Sequence, residues 1–483
     1  MKDISFKAPE YQADGSFRDI SYRFEGEESS GWAIYRDGKK EMDLGPGYTP
    51  VQSLYCGVCS TDLARRFLPY PLPQIIGHEV VGLIDGKPVV VEINASPLAR
   101  GIETKDPFSL HGLHTHSPER ITLGIDRLPG GFSPYFLAPV DAIVNVPDKI
   151  SALAASLTEP FAAALQGVDA TPINEKDHVA VLGPRRLGML ILSALAGFRK
   201  EKNRNFTITA LVRHESLEAL CKKMGADDTL DTRTQIPTKS FDVVFDTTGK
   251  PEGFLEALRL AKRCVSLKST NGQEVLGLKH LTDLVVDELA ILPWKGEHLD
   301  YTWPFEDARN NLNVFVSEGV AESVIEEAKA IDASEGRTRK YVRGIADQAA
   351  AEIRAGHGPE GSIVPRFDLA IASNLAEIDA IVRPLAGIEF SILRPRSAIL
   401  FASKKYESPL TEAVGSRGIE IRTSRCGDFH RTMKLLTEQP ELAAAFEKEM
   451  ITHRFDLDHI SEAFEMAADS SKSVKVIVEA PKP

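Results

Sequence analysis

HVAVLGPRRLGML, residues 178–190, is the stretch that decides the fold. HVAVL is an apolar run short enough for a buried strand, and RRLGMLILSALAG carries helical spacing. Between them Gly183 permits a tight turn and Gly188 permits close packing of helix on sheet. A helix opening at such a turn presents free N–H groups, the usual seat of a pyrophosphate. Arg185 holds the middle position of the G-x-G-x-x-G pattern, where backbone and phosphate should approach closely, and Arg186 and Leu187 complete the loop. Outward from this stretch, TITALV (207–212), DDTLD (227–231), FDVVFDTTG (241–249) and RCVSLKST (263–270) read as strands. SLEALCKKMGA (216–226) and PEGFLEALRLA (251–261) read as the helices between them. Strands alternating with helices at this pitch predict an α/β, doubly wound parallel sheet of the dinucleotide-binding kind.

Upstream, from residue 20 to about 150, short segments such as GWAIYR, VVGLIDG, PVVVEIN, RITLGI and AIVNVPD alternate with Gly, Pro and Asp turns. That spacing predicts a mainly-β, partly barrel-like domain. Helical periodicity resumes at Ala152 and runs through LAASLTEPFAAALQGVDA. The whole chain has 483 residues, 57 Lys and Arg against 69 Asp and Glu, and a net charge of −12. Such a length predicts two or three domains, and the acidic balance argues against a general nucleic-acid binder. No apolar run reaches membrane-spanning length, and the start MKDISFKAPEY lacks the apolar core of a secretory signal. Five cysteines are too few for a disulfide framework. The expectation is a soluble, cytoplasmic protein.

Two groups of residues carry chemistry. CGVCSTDL (56–63), GHEVVG (77–82) and LTEPFAAAL (157–165) offer a thiolate, an imidazole and a carboxylate from three separate elements. A catalytic zinc site needs three protein ligands of these kinds and one open position. The second group is the glycine loop at 183–188. In this order the segments resemble the zinc-dependent medium-chain alcohol dehydrogenase superfamily, nearest its polyol- and threonine-dehydrogenase-like branch. The resemblance covers roughly residues 30–295 and 418–480, including the tail ITHRFDLDHISEAFEMAADSSKSVKVIVEA.

The resemblance implies a GroES-like catalytic domain (1–165), a Rossmann domain (166–295), an α/β insertion (296–417) and a closing segment (418–483). It implies Cys59, His78 and Glu159 as ligands of one catalytic Zn2+, with Glu79 as the acid beside the metal. Thr61 matches the hydroxyl that takes the substrate proton, and Asp62 an acid behind the ligand histidine. Lys475 matches a basic residue that contacts the pyrophosphate. The activity implied is hydride transfer between a nicotinamide cofactor and a secondary alcohol or ketone of polyol, sugar or hydroxy-acid type. The alternatives are a zinc-free quinone or enone reductase on the same fold, and a catalytically idle dinucleotide-binding scaffold. Joint presence of Cys59, His78 and Glu159 argues against the first; Arg185, Ala64 and the insertion give the second some support.

Three positions depart from the family pattern: Arg185, Ala64 where relatives often carry a relay histidine, and residues 94–118, which lack the cysteines of a structural zinc lobe. His111, His114 and His116 in HGLHTH read as an exposed loop, and no structural zinc is expected. The second strand runs into Arg213 and His214 rather than an acid, which favours NADP(H) over NAD(H), because a cation pairs with a 2′-phosphate. Thr247 ends the fourth strand near the adenosine or ribose, and Lys268 the fifth near the nicotinamide amide.

Within the insertion, FEDARNNLNVFVSEG (305–319), AESVIEEAKAI (321–331) and RKYVRGIADQAAAEIRA (339–355) read as amphipathic helices. RFDLAIASNLAEIDAIVRPLA (366–386), SAILFAS, SPLTEAVGSRG and IEIRTS then mimic FDVVFDTTGKPEGFLEALRLA, RCVSLKST, LTDLVVD and ELAIL. That order suggests a partial repeat of the Rossmann half. The insertion follows VVDELAIL (285–292), read as a strand, and is expected to extend or cap the sheet edge there and so alter a possible homodimer, the alternatives being a lid or a partner-binding module.

Overall fold

The computed structural model describes residues 1–481 except 105, 111, 269–272, 297–298, 300–312, 356–366 and 385–390. It separates into two compact units, Met1–Ala163 with Cys426–Pro483, and Ala164–Arg425.

The first unit is mainly β. β1 (Lys2–Tyr11), β2 (Phe17–Glu27), β3 (Gly31–Arg36) and β4 (Lys39–Leu44) form an antiparallel meander. β5 (Tyr48–Val58) leads into the one-turn helix α1 (Ser60–Leu63). β6 (Glu79–Ile84) and β7 (Lys87–Val91) continue the β5 sheet as antiparallel neighbours. After β8 (Asn94–Ala95) and α2 (Pro107–Leu110), β9 (Ile121–Leu123) and β10 (Arg127–Leu128) complete a small sheet with β8. β11 (Tyr135–Pro139) pairs with β5, and β12 (Ile143–Asn145) with β7. The chain's last strands, Ile451–Asp456 and Lys475–Glu479, return to this sheet, the latter pairing with β5. Phe24, Trp32, Val51, Phe132 and Phe136 are packed into the core that joins the sheets. Helices α3 (Ala152–Ala155) and α4 (Thr158–Asp169) follow.

The second unit is an α/β sheet of eleven strands among the described residues. β13 (His178–Leu182), α5 (Arg186–Glu201), β14 (Thr207–Val212), α6 (Glu218–Lys223) and β15 (Asp228–Asp231) open it. β16 (Phe241–Asp246), α7 (Pro251–Leu260), β17 (Ala261–Leu267), α8 (Leu281–Val286) and β18 (Ala290–Pro293) follow. The central strands β13, β16 and β17 are buried along most of their length, as a parallel sheet covered on both faces requires, whereas β15 at the edge is not. The predicted doubly wound order is present: β15-β14-β13-β16-β17, all parallel. VVD of VVDELAIL closes helix α8, so the strand begins only at Ala290.

The sheet does not stop at the insertion. β19 (Asn313–Ser317), α9 (Glu322–Ser334), β20 (Lys340–Gly344), α10 (Ala346–Ala355), β21 (Phe367–Ala372), α11 (Leu375–Val382), β22 (Leu393–Phe401), α12 (Pro409–Gly415) and β23 (Glu420–Thr423) continue the same layer. Two expectations are corrected here. NVFVS is a strand rather than part of a helix, because Val314, Phe315 and Val316 are buried on both sheet faces; residues 305–312 lie outside the described residues. KYVRG is likewise a strand, with its helix starting only at Ala346. In both cases β-branched and aromatic residues gain more from sheet pairing than a helix face would give them.

Candidate active site

Cys59 is held by the turn that it caps. Its sulfur accepts from Thr61 N at 3.2 Å, and Asp62 Oδ2 accepts from Cys59 N at 3.0 Å. This reciprocal cap fixes the thiol and the carboxylate on one short helix. His78 enters after Gly77, whose φ of +99° and lack of a side chain are both required, since a Cβ would lie 2.7 Å from Phe132 and 2.8 Å from Cys56 Sγ. The imidazole then meets Cys59, with Nε2 3.1 Å from Sγ. Its other nitrogen, Nδ1, lies 3.4 Å from Asp62 Oδ1, close but not aligned as a hydrogen bond. Cys59, Asp62 and His78 present donor atoms within 4.8 Å of one another, and they form the one such group found among the described residues.

The electrostatics of this group favour a cation. Burial pushes the Cys59 thiol up, and the Asp62 carboxylate adds to the shift. Burial works against a charged His78, but Cys59 and Asp62 outweigh it and hold the imidazole well above its usual value. Burial also pushes Asp62 up, yet the His78 charge brings it below the ordinary carboxylate range. A partly buried thiol beside a buried imidazole and carboxylate that draw positive charge fit the donor chemistry of zinc. Asp62 faces the nitrogen opposite Cys59, as an orienting carboxylate behind a ligand histidine does.

Glu159, in the first turn of α4, is not in that close group. Its carboxyl is pushed up to about 7, first by burial; the His78 charge opposes this, and Glu79 adds to it. Glu79 is buried and paired with the Lys475 ammonium, which also donates to Val58 O at 3.1 Å. Lys475 is thus turned toward Glu79 inside the first unit. Thr61 is partly exposed beside the cluster. Sequence reading passed over Glu92. Burial pushes its carboxyl up to about 7, against hydrogen bonds from Asn94 N at 3.1 Å and Asn94 Nδ2 at 2.9 Å. Its only trace in the sequence is a carboxylate ending the apolar run PVVV.

HGLHTH is not an exposed loop. His116 is buried and His114 is partly buried, its Nδ1 2.7 Å from Ser96 Oγ; His111 lies outside the described residues. Phe108 and Leu113, both buried, draw the segment inward.

In the second unit the glycine loop has the predicted form. Gly183 sits at φ +78°, and a Cβ there would be 2.8 Å from Thr248 Cγ2. A Cβ on Gly188 would be 2.9 Å from Thr247 Oγ1. Arg185 stands just before α5 without a side-chain cap, followed by Arg186 and Leu187 in the first turn. Thr247 Oγ1 donates to Leu182 O (3.0 Å) and Gly183 O (2.7 Å), tying the end of β16 to the loop. Arg213 and His214 are exposed just beyond β14. Lys268 is buried, its ammonium donating to Ser424 Oγ at 2.8 Å.

No family model matches the chain. It is 27% identical over 300 residues to L-threonine 3-dehydrogenase of Pyrococcus horikoshii, covering 54% of this chain and 80% of that one. It is 24% identical over 213 residues to D-arabitol-phosphate dehydrogenase of Enterococcus avium, covering 41% of this chain and 58% of the relative. Its fold matches a zinc-binding dehydrogenase from Sinorhizobium meliloti 1021 bound to NADP, with a TM-score of 0.52, 17% identity and 99% coverage of both chains. These relatives and this fold are consistent with the resemblance to the zinc-dependent medium-chain alcohol dehydrogenases. The mainly-β first unit and the α/β second unit are consistent with a GroES-like plus Rossmann fold. Among the described residues no helix is long and apolar enough to cross a membrane.

Proposed function

We propose that the chain is a zinc-dependent oxidoreductase that exchanges a hydride between NADP(H) and a secondary alcohol or its ketone, of polyol, sugar or hydroxy-acid type. The observation that carries this is the convergence of Cys59 Sγ and His78 Nε2 at 3.1 Å with Asp62 behind the ring. Cys59, His78 and Glu159 would hold the metal, and Glu79 would lie beside it. When bound, zinc would polarise an alcohol oxygen and lower its pKa. Asp62 would hold the tautomer and orientation of His78. The Thr61 hydroxyl would accept the substrate proton and pass it outward, which its partial exposure permits. Lys475 neutralises Glu79, so that this acid does not add an unpaired negative charge beside the site.

For the cofactor, the turn from Gly183 to Gly188 at the start of α5 would hold the pyrophosphate. Arg213 would pair with a 2′-phosphate, and His214, Thr247, Lys268 and the 185–187 loop would complete the contacts. That relatives at this similarity act on threonine and a polyol phosphate supports the alcohol class.

The test is metal content by mass spectrometry, followed by turnover on a panel of polyols. About one zinc per chain is expected, lost together with turnover in Cys59→Ala while NADP(H) binding persists. A chain that stays metal-free after zinc is supplied, or that turns over without it, would overturn the proposal.

A further inference from the structure

The eleven strands divide into two half-sheets that repeat one another in detail. The first half is β14-β13-β16-β17-β23 with β15 at its edge; the second is β20-β19-β21-β22-β18. Strands are parallel within each half, and the halves meet in one antiparallel pairing, β18 with β23, at Ile291 and Ile421.

The registers correspond residue by residue. Val179 faces Val243 in the first half, and Val314 faces Leu369 in the second. Asp242 Oδ2 accepts from His178 N at 2.8 Å, where β13 begins; Asp368 Oδ2 accepts from Asn313 N at 2.8 Å, where β19 begins. A register shift falls between Phe241 and Val243, and again between Phe367 and Leu369. Val265 faces Ile421 and Ile399 faces Ile291, so the junction pair maps onto itself. A pseudo-two-fold axis therefore passes between Ile291 and Ile421. The final strands are exchanged across it: β18 follows β17 but pairs with β22, and β23 follows β22 but pairs with β17. Helix α12 accordingly packs on α7, and α8 on α11.

The second half has closed its own loop. The Glu377 carboxylate accepts from Gly319 N (2.9 Å), in the β19–α9 turn, and from Ser373 N (2.7 Å). Arg343 stands where the first half has Ala210 and donates to Glu318 O and Val320 O, both at 2.8 Å, and to Glu322. An internal carboxylate at this turn satisfies the amide and repels a phosphate.

We infer that the described residues between 290 and 401 form a second, ligand-silent nucleotide-type half-domain standing where a second copy of the first would pair, so that one chain is the complete unit. The silence of the second half rests on the dinucleotide reading of the first; the symmetry does not. The test is light scattering of the full chain at micromolar to tens of micromolar concentration, with fluorescence titration of NADPH and NADH. The mass of one chain and one cofactor per chain are expected. A mass of two chains would overturn the self-completed unit, and two cofactors per chain would overturn the closed loop. No binding of either cofactor would sink the dinucleotide reading instead, leaving the mass to decide the unit.

Discussion

Arg213 and Asp246 flank the glycine loop with opposite charges in opposite surroundings. Arg213 is exposed at the end of β14, free to meet a phosphate from solvent. Arg213→Asp is expected to lower the preference for NADP(H) over NAD(H) by about tenfold or more, because a carboxylate repels the 2′-phosphate that a guanidinium pairs with. The ratio of the two dissociation constants checks it. Asp246 is buried, and burial pushes its carboxyl up to about 6 despite hydrogen bonds from Thr248 N and Oγ1. Its ordinary value lies near 4, so its contribution to stability is complete below about pH 4 and is lost as pH rises through about 6. The loss is on the order of 3 kcal/mol, and Asp246→Asn should remove it. Between pH 4.5 and 7.5 the Tm of the variant is expected to fall less than that of the parent. Overlapping profiles would show that burial is not felt there.

Elements were legible where periodicity and turn chemistry agreed. HVAVL, TITALV and FDVVFD announce strands because both faces of a central parallel strand are covered and the runs are predominantly apolar. NVFVS and KYVRG, which pair with each other, did not, because each adjoins charged residues whose spacing also suits a helix. At the candidate site, Cys59 and His78 were visible as motifs, whereas the Glu79–Lys475 pair joins residues 396 positions apart. The strand entries offer a test at this scale. Asp368 is buried and holds the first amide of β19. Asp368→Ala is expected to cost about 2 kcal/mol, since it removes a charge-assisted hydrogen bond and leaves that amide unpaired. Chemical denaturation measures it. Gly183→Ala acts on the loop instead: at φ +78°, with Thr248 Cγ2 2.8 Å from the new Cβ, it is expected to weaken cofactor binding before global stability. Equilibrium binding set against Tm separates the two effects.

At the scale of the molecule, one sheet runs from β15 to β20 through the β18–β23 junction. Hydrogen exchange should find the amides of β18 and β23 protected to the same degree and opening together, because each is wedged between strands of the two halves. Early exchange of β18 alone would mean that the second half is loosely attached. By itself the sequence determined the doubly wound sheet, the mainly-β region before it, the glycine loop and the Cys59 and His78 of the buried cluster, since local periodicity and short motifs encode them. Only the tertiary structure decided that His116 is buried, that Lys475 serves Glu79, and that β18 and β23 exchange places between two half-sheets. Those outcomes depend on partners distant in the chain, and a strand's choice between two equivalent neighbours leaves no mark on its own residues.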